Sequence, residues 1–336
     1  MNTRLLLPNL GFRNSTTLLA VLGLTATAQW ASGTILSAPA VTDSAPAFSG
    51  QYAATNSVDE TEADYASAGQ GDATFLEYTF AVPQSFDKII VLNRDSPASS
   101  DLIADFTVTL DGTTAIPITR TPMRGSSEIH SLGGLRTATT VRIDVDTVGT
   151  GDNVNNTGAM EVLFVQTPAG QTPITATVIN AAQAFAPLFA AENAADGIVG
   201  RTSGTGDGPE YASASLGSEA FVDFDLGAVR SVGGFDFFDR PADEDRITGF
   251  DLIFSGNSIF GDGDDVVKSY TKSTLGASDV FNGVSAQYVR FDVTANLGGP
   301  NANTGISEIV FYQVPEPSLG AMLCCGLLGF IARRRR

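Results

Sequence analysis

The chain has 336 residues, with 37 acidic against 19 basic side chains and a formal net charge of −18 at pH 7. Such a chain has little with which to displace counterions from a phosphate backbone, so nucleic acid is excluded as a partner. Both cysteines, Cys324 and Cys325, stand side by side near the C-terminus, so the rest of the chain has no disulfide and must be held by core burial.

Residues 1–33 begin with a basic stretch carrying Arg4 and Arg13 and pass into the apolar run Thr16 to Ala28. Small residues follow, with Ala26-Thr27-Ala28 and Ala31-Ser32-Gly33 as alternative cleavage sites. This order is that of a secretory signal peptide, and the apolar run is too short to span a bilayer. Removing it and the C-terminal tail leaves 13 basic against 36 acidic residues, a net charge of −23 on the exported body. A body of that charge is expected to be soluble and to repel anionic lipid.

The body is one unit written twice. Residues 65–94 align with 211–240 without a gap at an offset of 146, so that Tyr65-Ala66-Ser67-Ala68 matches Tyr211-Ala212-Ser213-Ala214 and Arg94 matches Arg240. Tyr52 to Asp59 matches Phe189 to Asp196, and Val141 to Val145 matches Val289 to Val293. Each copy closes on NTGxxExxFxQxP, at Asn156 to Pro168 and at Asn303 to Pro315. The copies are placed at 34–166 and 174–313, joined by the Pro/Gly linker 167–173, and the matched ends predict two independent folding units.

Within each copy the strands show as alternation. In Phe221 to Gly227, Phe221, Phe224 and Leu226 are apolar while Asp223 and Asp225 are charged; in Val289 to Val293, Val289, Phe291 and Val293 point in and Arg290 and Asp292 out. Asp111-Gly112 and the run Gly261 to Asp265 mark turns, and no amphipathic helix of 12 or more residues is found. The pattern predicts an all-β protein of two tandem antiparallel sandwiches.

Residues 314–336 form a third kind of segment. The turn Pro315-Glu316-Pro317 precedes a 14-residue uncharged run, Leu319 to Ala332, and the cluster Arg333, Arg334, Arg335, Arg336. As a helix the run spans about 21 Å, short of a hydrocarbon core of about 30 Å, and the arginines hold their end in the cytoplasm. This order resembles the PEP-CTERM sorting signal of Gram-negative bacteria. The resemblance implies an exosortase-type membrane peptidase as partner, a transient anchor in the inner membrane, and a destination in the cell envelope or extracellular matrix. A short anchor that is never cut is the alternative.

The second copy carries Asn193-Ala194-Ala195-Asp196-Gly197, Tyr211-Ala212-Ser213, Phe221 to Gly227, Asp239-Arg240, Arg246 to Gly256, Tyr288 to Val293 and Gly305 to Tyr312 in succession. That succession resembles the discoidin (factor 5/8 type C) domain and the family 32 carbohydrate-binding modules, over most of 174–313 and more faintly over 34–166. The resemblance implies a galactose-binding-like jelly roll. Tyr211 stands where the family usually has Trp, and the cysteines of its animal members are absent.

The resemblance also implies a structural Ca²⁺ where the early loop meets the closing strand, with Asp196 and Glu308 as ligands in the second copy and Asp59 and Glu161 in the first. Two carboxylates with backbone carbonyls suit a hard cation. The other reading makes Asp-Gly a turn and lets the glutamate accept loop N–H groups. In the first copy Glu60 replaces the glycine and favours that second reading.

Arg94 and Asp95 in one copy, and Arg240, Asp243 and Arg246 in the other, are the candidate sugar-binding residues. An Arg–Asp pair offers the donors and acceptor that a diol needs, although an arginine salt-bridged across the rim to order a loop fits the same sequence. Aromatic side chains for a sugar platform are scarce: Trp30 lies in the cleavage region, and Tyr65 and Tyr211 are assigned to the core. His130 is the only histidine, and no nucleophile or metalloenzyme motif accompanies it. The expected function is that of an exported, non-catalytic surface or matrix protein that binds extracellular polysaccharide weakly. A purely structural surface protein is the alternative, and a secreted hydrolase ranks behind both.

Overall fold

The structure, a computed structural model, describes residues 34–61, 63–150, 155–200, 210–240 and 242–315. The signal segment lies outside the described residues, as do Glu316, Pro317, the apolar run and Arg333 to Arg336. Among the described residues no helix is long and apolar enough to cross a membrane.

The first sheet is built from β1 (Thr34–Ile35), β2 (Ala40–Ser44), β3 (Phe75–Asn93), β4 (Phe106–Leu110), β5 (Thr114–Ile118), β7 (His130–Val145) and β8 (Ala159–Gln166). Its order is β1-β8-β3-β7-β4-β5, with β2 also on β3. The second is built from β9 (Thr172–Ile174), β10 (Thr177–Ala181), β12 (Tyr211–Ala212), β13 (Phe221–Asp239), β14 (Ile247–Ser255), β15 (Val266–Thr271), β16 (Gly276–Asn296) and β17 (Gly305–Gln313). Its order is β12-β17-β13-β16-β14-β15, with β9 on β17 and β10 on β13. Every pairing is antiparallel. The segment 167–173 makes a turn, with Gln171 N–H donating to Pro168 O, and its last two residues already belong to β9.

Each sheet folds over itself. The pairing of β13 with β16 breaks between Asp225 and Arg230, and that of β3 with β7 between Thr79 and Gln84. The two halves of each long strand then face one another across the core. Phe224, on the leading half of β13, meets Phe311 of β17, which pairs with the trailing half, at 5.5 Å between ring centroids. Tyr78 and Phe164 meet at 5.8 Å in the first copy. Each copy therefore has its own apolar core between two layers.

The alternation in β13 lies one residue away from the expected set at its start. Val222, Phe224 and Leu226 are buried, whereas Phe221 lies half-buried on the outer face under the Arg290 guanidinium, 4.4 Å from its ring centroid. Asp223, expected to be wet, is buried because Arg290 closes over it with bonds of 2.6 and 2.9 Å.

The two sandwiches are docked. Ile90, Leu92, Met160 and Val165 of the first pack against Val199 and Phe238 of the second. A separate two-stranded sheet bridges them, β6 (Ser126–Glu128) pairing with β11 (Ile198–Gly200). Lys88 Nζ donates to Tyr312 Oη at 2.9 Å, and Tyr312 Oη donates to Asp236 Oδ2 at 2.5 Å. Burial lowers the Lys88 pKa and pushes the Asp236 carboxyl up to about 6. Glu60 reaches across as well, its carbonyl accepting from Arg246 Nη2 at 2.9 Å and its Oε2 from Leu275 N–H at 3.3 Å. Separating the copies would expose this apolar patch and leave the Asp236 charge without Lys88, which argues against units of full independent stability.

Candidate functional site: paired loop clusters

The closing motif of each copy ties the loops at one end together. Tyr65 and Tyr211 are core residues whose hydroxyls donate to Ala45 O at 2.8 Å and Ala182 O at 2.9 Å. The motif glycines lie against the same tyrosines. A Cβ on Gly158 would sit 2.0 Å from Tyr65 O, and one on Gly305 1.8 Å from Tyr211 O, so only glycine lets the closing strand approach. The motif asparagines accept from Gly69 N–H and Ser215 N–H, each at 3.0 Å.

The arginines are the centre of each cluster. Arg94 Nε donates to Asp64 at 2.6 Å, and its Nη1 to Asp101 at 3.3 Å and to Asn156 O at 2.5 Å. Arg240 donates to Glu210 at 3.1 Å, to Asp245 at 2.9 Å and to Asn303 O. The offset of 146 carries Asp64 onto Glu210 as it carries Arg94 onto Arg240. Glu210 and Asp245 hold the Arg240 pKa above its ordinary value against the pull of burial. These guanidiniums, each more than nine-tenths buried, order the loops. Asp95 is paired with Arg124 at 2.5 Å, and Arg246 faces the first sandwich through Glu60. Asp243 lies on a short 3₁₀ turn, Asp243–Asp245, and its side chain is outside the described set. The sugar-binding residues read from the sequence thus do not form one constellation.

The aromatic surface missed in the sequence lies in front of these arginines. Phe48 and Phe185 are 56 % and 54 % exposed. Phe48 meets Tyr52 edge-on at 5.9 Å, and Phe185 meets Phe189 edge-on at 5.6 Å. Behind them Arg94 lies 5.3 Å from the Tyr52 ring and Arg240 5.9 Å from the Phe189 ring. Carrying the alignment of Tyr52 with Phe189 four residues upstream would have matched Phe48 to Phe185. Each copy therefore presents an exposed ring, a second ring edge-on to it, and a fixed cation with its carboxylates against the second ring.

Asp196 and Glu308 come together, as do Asp59 and Glu161. Gly197 N–H donates to Glu308 Oε2 at 2.9 Å and Ile198 N–H to Asp196 Oδ1 at 2.9 Å. Glu60 N–H donates to Glu161 Oε2 at 3.0 Å, while Thr61 gives both N–H and O–H to Asp59 Oδ1. Burial pushes Glu161 and Glu308 up to about 9 and Asp196 to about 6, and the neighbouring aspartates add to the rise in both glutamates. A buried glutamate bonded to backbone N–H and lying beside a second carboxylate is a donor set that a divalent cation would satisfy, and the residues fit Ca²⁺ in that sense. The positive φ of the loop is met by Gly197 at 85° and in the first copy by Glu60 at 58°, a conformation that costs a non-glycine residue about 1 kcal/mol.

Two other clusters are tied up by local contacts. Asp262, Asp264 and Asp265 come within 4.8 Å of one another at the β14–β15 hairpin tip, where Asn257 Nδ2 donates to the first two and keeps the turn closed. His130 Nε2 lies 3.4 Å from Ser127 Oγ, but that hydroxyl donates to Glu128 O and accepts from Arg120, and the pair is buried. Burial and Arg120 push the imidazole down to about 4, so it is neutral at pH 7.

A family model described as a domain of unknown function, DUF7402, matches residues 172–312. Among solved structures, the chain is similar to a fucolectin from striped bass serum, with 15 % identity over 83 % of this chain and 97 % of that one and a TM-score of 0.33. It is similar to a family 32 carbohydrate-binding module of Clostridium perfringens solved with galactose, with 17 % identity over 43 % of this chain and 99 % of that one and a TM-score of 0.32. It is similar to an F5/8 type C domain from Bacteroides fragilis, with 14 % identity over 44 % of this chain and 100 % of that one and a TM-score of 0.35. No curated protein matches the chain.

Proposed function

We propose that the protein is an exported, non-catalytic surface or matrix protein that holds extracellular glycan weakly through the loop cluster of each sandwich. The observation that carries this reading is the pair of exposed rings, Phe48 and Phe185, at equivalent places, each edge-on to a ring, Tyr52 or Phe189, that a pinned arginine lies against. An exposed phenylalanine presents a C–H-binding face to a sugar ring, and the ion pairs of Arg94 and Arg240 hold the loops that carry it. Ca²⁺ at Asp196/Glu308, and at Asp59/Glu161, orders the loops behind. The discoidin-like succession in the sequence supports the same reading. A glycan array tests it. Phe48→Ala and Phe185→Ala should each weaken binding by about tenfold, and together abolish it, with Tm unchanged because both rings are already half in water. Binding by the double variant equal to wild type would leave a structural surface protein without a glycan site.

The Pro-Glu-Pro turn, apolar run and arginine cluster support sorting by an exosortase-type peptidase. The intact mass of protein extracted from the cell surface should lack Leu319 to Arg336. A mature form ending at Arg336 would contradict processing.

A further inference from the structure

A cavity of about 450 Å³ opens at the far end of the second sandwich, with Gln171, Lys268, Val280, Phe281, Asn282 and Val314 in its walls. That volume falls among small-molecule sites, about 300–1,000 Å³. β17 starts at Gly305, beside the loops that Arg240 ties together, and ends at Gln313, next to Val314. At about 3.3 Å per residue, the cavity lies about 25 Å from those loops. Its walls are mixed: Val280, Phe281 and Val314 are apolar, Gln171 and Asn282 are amides, and Lys268 is a cation. Phe281 is seated on the core through Phe254, edge-on at 5.7 Å.

The repeat shows what is particular to this place. Gly233 and Gly234, which adjoin Gln171, stand where the first copy has Asp87 and Lys88. Those side chains are engaged, Asp87 by Thr167 N–H and Lys88 by Tyr312. Between its paired residues Val280 and Val284, β16 turns through Phe281-Asn282-Gly283. The corresponding turn of β7, between Ser131 and Arg136, is Leu132-Gly133-Gly134-Leu135, with neither ring nor amide side chain. Lys268, opposite Leu252 of β14, stands where β5 has Ile116 opposite Val108 of β4. Ring, amide and cation thus enter together, in one copy only. Lys268 is also the cation left over in an acid-rich chain. Among the described residues every other lysine and arginine donates to at least one acceptor. Lys268 has neither ion pair nor hydrogen bond, and its Nζ lies 4.4 Å from the Phe281 ring centroid. Gln171 is more than nine-tenths buried; its Nε2 donates to Gly233 O at 3.2 Å, and its Oε1 has no donor.

We propose that this cavity is a second saccharide site, separate from the loop clusters, and that it takes a carboxylate-bearing sugar residue. The carboxylate pairs with Lys268, whose ammonium gives up no existing ion pair to receive it. Sugar hydroxyls both donate and accept, as the amides of Gln171 and Asn282 do, and a hydroxyl is the donor that Gln171 Oε1 lacks. The apolar walls meet the C–H face of the sugar. A net charge of −18 opposes a polyanion at range, so affinity comes from contact at Lys268 and is greatest for short acidic stretches. A polymer that reaches both ends of the sandwich gains avidity from the two sites.

Calorimetric titration of the full chain with a uronic-acid trisaccharide tests the site, with the methyl ester of the same trisaccharide as the uncharged probe. The acid should bind about tenfold more tightly than the ester. Lys268→Met, which keeps an apolar stem on Phe281, should weaken acid binding about tenfold and leave the ester unchanged, while Lys268→Arg should keep acid binding. Phe48→Ala with Phe185→Ala should not alter acid binding, because those rings belong to the loop clusters, whose own test is read on neutral glycans. An acidic tripeptide should compete about tenfold more weakly than the sugar, since it lacks the hydroxyls that the amides receive. Equal acid binding by wild type and Lys268→Met, or equal binding of acid and ester by wild type, would overturn the site. Loss of acid binding in the Phe48/Phe185 double variant would move that ligand to the loop clusters and overturn it as well. A tripeptide that competes as well as the sugar would overturn the saccharide and leave a peptide site. Neutral glycans bound without any binding of the acid would overturn the cavity proposal and leave the loop-cluster reading standing.

Discussion

Arg240→Met should cost the second sandwich about 3–5 kcal/mol, the penalty for removing one partner of a buried ion pair and leaving the other charged. Glu210 is 1 % exposed in its side chain and Asp245 15 %, so neither carboxylate can recover much water. The Asn303 carbonyl would lose its donor as well. Arg94→Met in the first sandwich should cost less, about half as much, because Asp64 and Asp101 are 20 % and 17 % exposed and can rehydrate. Glu210→Gln on the Arg240→Met background should recover part of the loss, since it removes the buried charge that Arg240 no longer balances. Urea unfolding measures all three. A cost below about 1 kcal/mol for Arg240→Met would mean that the loop relaxes and rehydrates, and would make the guanidinium available for a ligand instead.

Why these arginines escaped a firm reading in the sequence is a matter of partners distant along the chain. The repeat itself was legible, because Tyr65 to Arg94 and Tyr211 to Arg240 align without a gap, and it fixed which strands are equivalent. The Val289 to Val293 strand was legible because its inner residues are all apolar and its outer ones charged. The start of β13 was not, because Phe221 and Asp223 share an outer face that Arg290, nearly 70 residues later, converts into a covered one. The cation next to the core was hidden for the same reason. Arg120 follows β5 and Lys272 follows β15, and they meet equivalent residues, Asn93 and Asp239, at the ends of β3 and β13. Burial pulls Arg120 down to about 9 against the opposing charges of Glu128 and Asp105, and its guanidinium bonds are to neutral acceptors, whereas Lys272 has a buried carboxylate at 2.5 Å. Phe48 and Phe185 were visible as a matched pair, but not as exposed: nothing local tells a phenylalanine on a loop that no strand will cover it. The domain contact was the least legible feature, because Lys88, Asp236 and Tyr312 lie on strands whose alternation assigns them to an outer face, and only docking makes that face an interface.

In chelator, the protein should lose stability as pH rises from 6.5 toward 9, by about 4 kcal/mol between pH 6.5 and 8. Glu161 and Glu308 are 1 % and 3 % exposed, and burial beside a second carboxylate pushes each from 4.5 to about 9. Above pH 4.5 the unfolded chain has released these protons and the folded chain still holds them. Their contribution is therefore complete below pH 4.5 and is lost at about 1.4 kcal/mol per pH unit and per group until pH passes 9. Asp196, Asp236 and Asp239, raised to about 6, act in the same direction but level off by pH 6. His130 runs the other way. Its folded pKa is pushed down to about 4, so its contribution is present above pH 6.5 and lost as pH falls toward 4. Lys88 and Lys272, both lowered by burial, also favour the fold as pH rises, toward the alkaline end of the range. Between pH 6.5 and 8 the two glutamates set the slope. Ca²⁺ should reverse it, because the ion competes with the proton for the same carboxylates and binds more tightly as pH rises. The Tm difference between Ca²⁺ and chelator should be small at pH 5 and large at pH 8. Glu161→Gln with Glu308→Gln should flatten the chelator profile and remove the Ca²⁺ response together. A profile in chelator that is already flat from pH 6.5 to 8 would mean that both carboxylates are ionised in the folded chain without an ion, held by the Glu60 and Gly197 N–H groups alone.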